Sequence, residues 1–117
     1  MNRDEAIKRI RAALKKRSGK PWSVTHGRGT VWGWITISSP PARRTSDYEG
    51  GFWHAGMAEG CYYLTREDGE ELARLLALPA RVHPQGQSIA AGNDYYQEYV
   101  DRAEGRTPTV YGKPYWD

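Results

Sequence analysis

The chain is poor in the residues that usually build a small protein's core and staple it together. Cys61 is the only cysteine, so no intramolecular disulfide can form. A lone thiol fits a reducing compartment, and a cytoplasmic location is expected. Leu, Ile, Val and Phe together make only 17 of the 117 residues. A share that low accompanies disorder when aromatics are scarce and net charge is high. Neither holds here: the formal charge is +3, and five Trp, eight Tyr and one Phe supply ring surface. Each ring buries roughly 150–250 Å², enough to replace missing aliphatics. No stretch approaches the ~20 apolar residues that a membrane-spanning helix needs. No apolar run follows the first basic residues, so no secretory signal is expected. Asp4 and Glu5 argue against a transit peptide. At ~150 residues per domain, the length predicts one domain over residues 1–117.

The small net charge hides an asymmetry. Residues 1–44 hold 11 Lys and Arg against two acids, a balance of +9, whereas residues 45–117 hold six against 12, a balance of −6. A pole that basic suits a polyanion or an acidic protein surface. The two halves can also pair with each other in the fold.

Periodicity predicts an α+β domain of two layers, in the order α-β-β-(β)-α-(β)-α. A first helix spans about Asn2 to Ser18. Asn2 is placed to cap it, Glu5 stands at capping-box spacing, and Gly19 and Pro21 stop it. Ala6, Ile7, Ile10, Ala13 and Leu14 form one apolar stripe. Lys8, Arg11 and Lys15 form a cationic ridge beside it, which Arg9, Lys16 and Arg17 extend. A β-hairpin follows: Trp22 to His26, a turn at Gly27-Arg28-Gly29, and a second strand from Thr30 to Ser38. Alternation puts Val31, Gly33, Ile35 and Ile37 on the face covered by the first helix, and Trp32, Trp34 and Thr36 on the other. Gly33 is small enough to admit a helix or a ring.

Pro40 and Pro41 end the sheet signal, and a mobile loop is expected over 40–60. A short strand at Cys61 to Leu64 precedes a second helix. Thr65 is its expected cap, Asp68 stands in its first turn, and Leu72, Leu75 and Leu76 form its buried face. Another short strand is read at Arg81 to His83. A third helix, capped by Asn93 or Asp94, runs to about Glu104 and stops at Gly105. The tail at 106–117 is too aromatic to hang free and is expected to lie back on the body.

No residue set reads as a catalytic or metal centre. His26, His54, His83 and Cys61 lack the close pairing of a zinc site, so no metal and no cofactor are expected. Cys61 beside Tyr62 and Tyr63 reads as a small buried side chain rather than a nucleophile. Glu70 with Glu71, and Asp101 with Glu104, read as solvated helix faces. Gly27-Arg28-Gly29 reads as a tight turn rather than a phosphate loop, since no Gly-x-x-x-x-Gly-Lys pattern surrounds it.

The basic helix beside an aromatic hairpin carries the functional expectation. Phosphates need cations, and unpaired bases need ring faces. Lys8, Arg11, Lys15, Lys16, Arg17, Lys20 and Arg28 supply the first, and Trp32 and Trp34 the second. The alternative for the two rings is a second core, closed by the aromatic tail or by residues 52–53.

Two stretches, LKKRSGKPWSVTHGRGTVWGWITI (14–37) and YYQEYVDRAEGRTP (95–108), resemble small uncharacterised bacterial proteins, some of them carried on mobile elements. More loosely, the basic helix and hairpin look like domains associated with large polyvalent phage and plasmid proteins. The resemblance implies a bacterial or phage setting and brings no catalytic motif. The expectation is therefore a non-enzymatic nucleic-acid-binding protein. The alternative is a phage- or plasmid-encoded inhibitor that binds a host defence complex, in the manner of anti-CRISPR proteins. The oligomeric state is left open.

Overall fold

The computed structural model describes residues 1–43, 66–78 and 86–113. In chain order they form α1 (Arg3–Ser18), β1 (Ser23–His26), β2 (Ile35–Ser38), α2 (Arg66–Leu76), β3 (Gln87–Ile89) and α3 (Asn93–Ala103). Short 3₁₀ turns lie at Gly29–Val31 and Pro41–Arg43. The architecture is α+β, as the periodicity predicts.

The first helix forms as its sequence demands. The Asn2 side chain accepts the Glu5 N–H at 2.8 Å, and Asp4 and Glu5 lie at the positive end of the helix dipole. Lys15, Lys16 and Arg17 lie at the negative end, where Gly19 turns left-handed (φ 75°) and closes the helix on the Lys15 carbonyl. The apolar stripe Ala6, Ile7, Ile10 and Leu14 is buried.

The described residues form a three-stranded antiparallel sheet in the order β1-β2-β3. Val24 stands opposite Ile37, and Ile35 opposite Ile89. All four side chains are buried with the α1 stripe, Trp22, Leu72, Leu76, Tyr96, Tyr99 and Val100 in one core. α1 packs on β1 and α3, and α3 packs on α2 and β3. The same register puts Ser23, Thr25, Thr36, Ser38 and Ser88 on the other sheet face.

The hairpin departs from its sequence reading. Each strand is four residues long, and residues 27–34 form a connection between them instead of a tight turn and a long strand. Local bonds take the backbone there: Val31 N–H donates to Arg28 C=O, Trp32 to Gly29, and Trp34 to Val31. Gly29, at φ 59°, permits the fold-back. Val31, expected on the core face, is 47% exposed. Gly33 does admit a close neighbour, since an added Cβ would meet the Ala91 side chain at 2.7 Å.

Two further readings are corrected. The strand that completes the sheet is Gln87–Ile89, which escaped the sequence reading. Only Ile89 of its three residues is buried, so almost no alternation marks it. Gly92, not Asn93 or Asp94, is the N-cap of α3, and the Asn93 side chain instead accepts from the Met1 amine at 3.0 Å. Asp68 stands in the first turn of α2 as read, and there it is a fully buried carboxylate. The expected strands at 61–64 and 81–83, the Thr65 cap, residues 44–60 of the expected loop, and Tyr115 and Trp116 of the tail lie outside the described residues. The described part of the tail does lie back on α3. Gly112 N–H donates to Glu98 at 2.9 Å, and Gly112 fits only because it lacks a Cβ, which would strike the Tyr95 ring.

Candidate nucleic-acid interface

The fold divides the N-terminal cations into those that hold the chain together and those that face water. Arg9 pairs with Glu104 at 2.9 Å, and Lys20 with Glu71 at 2.7 Å. Arg43 pairs with the buried Asp68 at 2.7 Å, and Ser39 donates to the same carboxylate at 2.8 Å. Burial pushes the Asp68 carboxyl up, but hydrogen bonds from Arg43 and Ser39 and the charges of Arg43 and Lys20 overcome this and hold it below the usual carboxylate range. Glu104 is shifted the same way, its modest burial outweighed by Arg9 and Arg106.

Arg17 is spent on structure. Its Nη1 donates to the carbonyls of Leu75, Arg102 and Ala103 at 2.8–3.1 Å, at the C-terminal ends of α2 and α3. Lys20 is therefore neutralised by an acid, whereas Arg17 is positioned by carbonyls that leave its charge in place. Of the acids expected on solvated helix faces, Glu70 is exposed, whereas three are engaged, Glu104 as described above. Glu71 holds Lys20, and Asp101 is buried and accepts from Gln97 and Arg106.

The remaining cations converge. Lys8, Arg11 and Arg28 line one open groove of about 1030 Å³ between α1, β1 and the connection that follows it. The i, i+3 spacing on α1 brings Lys8 and Arg11 to the same wall, and the short β1 delivers Arg28 to the opposite end. Arg11 Nη2 donates to the Val24 carbonyl at 2.8 Å, which orients the guanidinium without neutralising it. Lys8 and Arg28 make no ion pair among the described residues, nor do the exposed Lys15 and Lys16. Lys15 lies four residues beyond Arg11 and continues the ridge past the groove. Among the described residues Asp4 is the one acid on the groove wall.

His26, which the sequence reading left as an ordinary histidine, also lines the groove. Its Nδ1 lies 2.8 Å from the Gly27 carbonyl, an acceptor only, so Nδ1 donates in that contact. Its position two residues before Arg28, at a strand end, was the available signal.

The two tryptophans are separated by the connection. Trp32 is 58% exposed and lies beneath the Arg3 guanidinium, whereas Trp34 is half-buried. They do not form the paired strand-face platform that alternation predicts. Among the described residues no three His, Cys, Asp or Glu side chains are grouped to hold a metal ion.

Comparison with protein-family models, with curated proteins and with solved structures finds no match. The geometry of the groove is the ground on which its chemistry stands. That geometry brings three cationic side chains, an imidazole and β1, the edge strand among those described, to one groove.

Proposed function

We propose that this chain is a non-enzymatic nucleic-acid-binding protein, and that phosphates lie in the groove between α1 and β1. One observation carries the reading. The fold pairs Arg9, Lys20 and Arg43 with its own acids, yet leaves Lys8, Arg11 and Arg28 together on one concave surface. A charge cluster that contributed only to stability would sit among acids, because like charges gathered without a partner repel. Lys15 and Lys16 extend the same field along α1, and a cleft lined by one sign of charge concentrates polyanions.

The test is a salt titration of nucleic-acid affinity with Lys8→Glu and Arg28→Glu. Neither residue has an ion pair among the described residues to lose, so the melting curve is expected to stay unchanged. Affinity is expected to fall, and each lost phosphate contact to flatten the log K against log[salt] slope by about 0.7–0.9. Unchanged affinity in both variants would refute the reading.

A second reading has one observation behind it. Among the described strands β1 lies at the sheet edge, and it lines the groove, so an extended acidic segment of a protein could add to the sheet there. This is the form in which an inhibitor of a host defence complex would use the same charges. A chain that binds no nucleic acid at low salt, yet captures an acidic β-strand peptide, would favour it.

A further inference from the structure

We infer that Trp32 is a one-sided stacking surface for an unpaired base, so the ligand of the groove is a single-stranded nucleic acid; this rests on the groove reading above. The ring is held from behind. The Arg3 guanidinium carbon lies 3.7 Å from the ring centroid, within the range of a strong cation–π contact. Arg3 is itself fixed, since its Nη1 donates to the Trp32 carbonyl at 3.1 Å and its Nε to Asp4 at 2.9 Å. Its side chain is only 10% exposed. A guanidinium tied at both ends and buried against the ring does not swing away.

Trp32 nevertheless remains 58% exposed. With Arg3 on one face, that exposure falls on the opposite face and the outer edge. The backbone beneath is equally fixed, because Trp32 N–H donates to the Gly29 carbonyl at 3.1 Å. The neighbouring Val31 lines the groove and is also exposed, so the ring stands at the rim next to the loop that carries Arg28. An exposed apolar patch bordered by charge marks an interaction site. A ring held open at the mouth of a cationic groove matches a strand that presents phosphates and base faces together. In a duplex the base faces are already stacked on one another, so an immobile ring at the rim finds no partner there.

The test compares affinities for a labelled oligothymidylate, a duplex of the same length and inorganic polyphosphate. The chain is expected to bind the oligothymidylate more tightly than the duplex. Trp32→Ala is expected to weaken oligothymidylate binding by about 5- to 150-fold. Polyphosphate affinity should not change. Trp32→Leu keeps apolar bulk against Arg3 but has no π face, and it should lose oligothymidylate affinity like the alanine variant. Trp32→Phe should recover part of it. Unchanged oligothymidylate affinity in the leucine variant, or an equal loss for all three ligands, overturns the stacking role. If Lys8→Glu and Arg28→Glu still weaken polyphosphate binding, the groove reading survives that result. If they weaken nothing, the groove reading falls first and the stacking role with it.

Discussion

Asp68 is the residue on which the link between β2, the Pro41–Arg43 turn and α2 depends. It has no exposure to solvent and accepts from Ser39 and from both Nε and Nη2 of Arg43. A buried carboxylate is tolerable only with such partners, and its removal strands them. Asp68→Ala is expected to cost on the order of 3 kcal/mol in a urea melt. The pH dependence follows from the direction of the shift. Its native pKa lies below the unfolded value, so the folded state binds fewer protons than the unfolded one across that interval. The stabilisation is therefore complete above the unfolded carboxylate pKa of about 4 and is lost as pH falls through the native value. Urea melts at descending pH are expected to show the gap between the native protein and Asp68→Asn closing on acidification.

At the scale of elements, α1 joins a buried apolar face to an exposed cationic one. Ile10 and Leu14 have no exposure, while Lys8, Arg11 and Lys15 face outward. Leu14→Ala removes a side chain from the shared core and is expected to cost about 2–5 kcal/mol, read by chemical denaturation. Its effect on ligand affinity should appear only through the unfolded fraction. The 27–34 connection behaves differently from the strand it was read as. Thr30, Val31 and Trp32 have strong β propensity, but they lie between Gly29 and Gly33, and three i to i+3 bonds satisfy the backbone locally. Propensity measures fit to a half-buried pleated surface, and no strand among the described residues pairs with these. The fold-back brings Arg28 and Val31 to the wall of the groove and leaves the neighbouring Trp32 exposed.

In the whole molecule, Arg17 is the point where three helices meet. It leaves α1 and reaches the carbonyls of Leu75 at the end of α2 and of Arg102 and Ala103 at the end of α3. Arg102 repeats the device, donating to Leu76 and Ala77. Arg17→Met keeps the stem but leaves those acceptors without the guanidinium. A stability loss of about 1–3 kcal/mol is expected by thermal or urea melting. Nucleic-acid affinity should fall far less than in Lys8→Glu. The reverse pattern, a stable fold with lost binding, would return Arg17 to the interface.

The apolar stripe of α1, its caps at Asn2 and Gly19, the pairing of a first short strand with Ile35 and Ile37, and an α+β class were all legible in the sequence. Each depends on contacts within a few residues or on a periodicity that only one secondary structure satisfies. The division of the cations was not. Arg9, Arg11, Arg17 and Lys20 look alike in the chain, and their roles depend on partners 95, 13, 58 and 51 residues away. The same holds for Asp68, whose burial follows from where Ser39 and Arg43 arrive. Charge summed along a sequence gives the sign of a field. Which charges remain free to act on a ligand depends on the acids and carbonyls that tertiary packing brings within about 3 Å of each one.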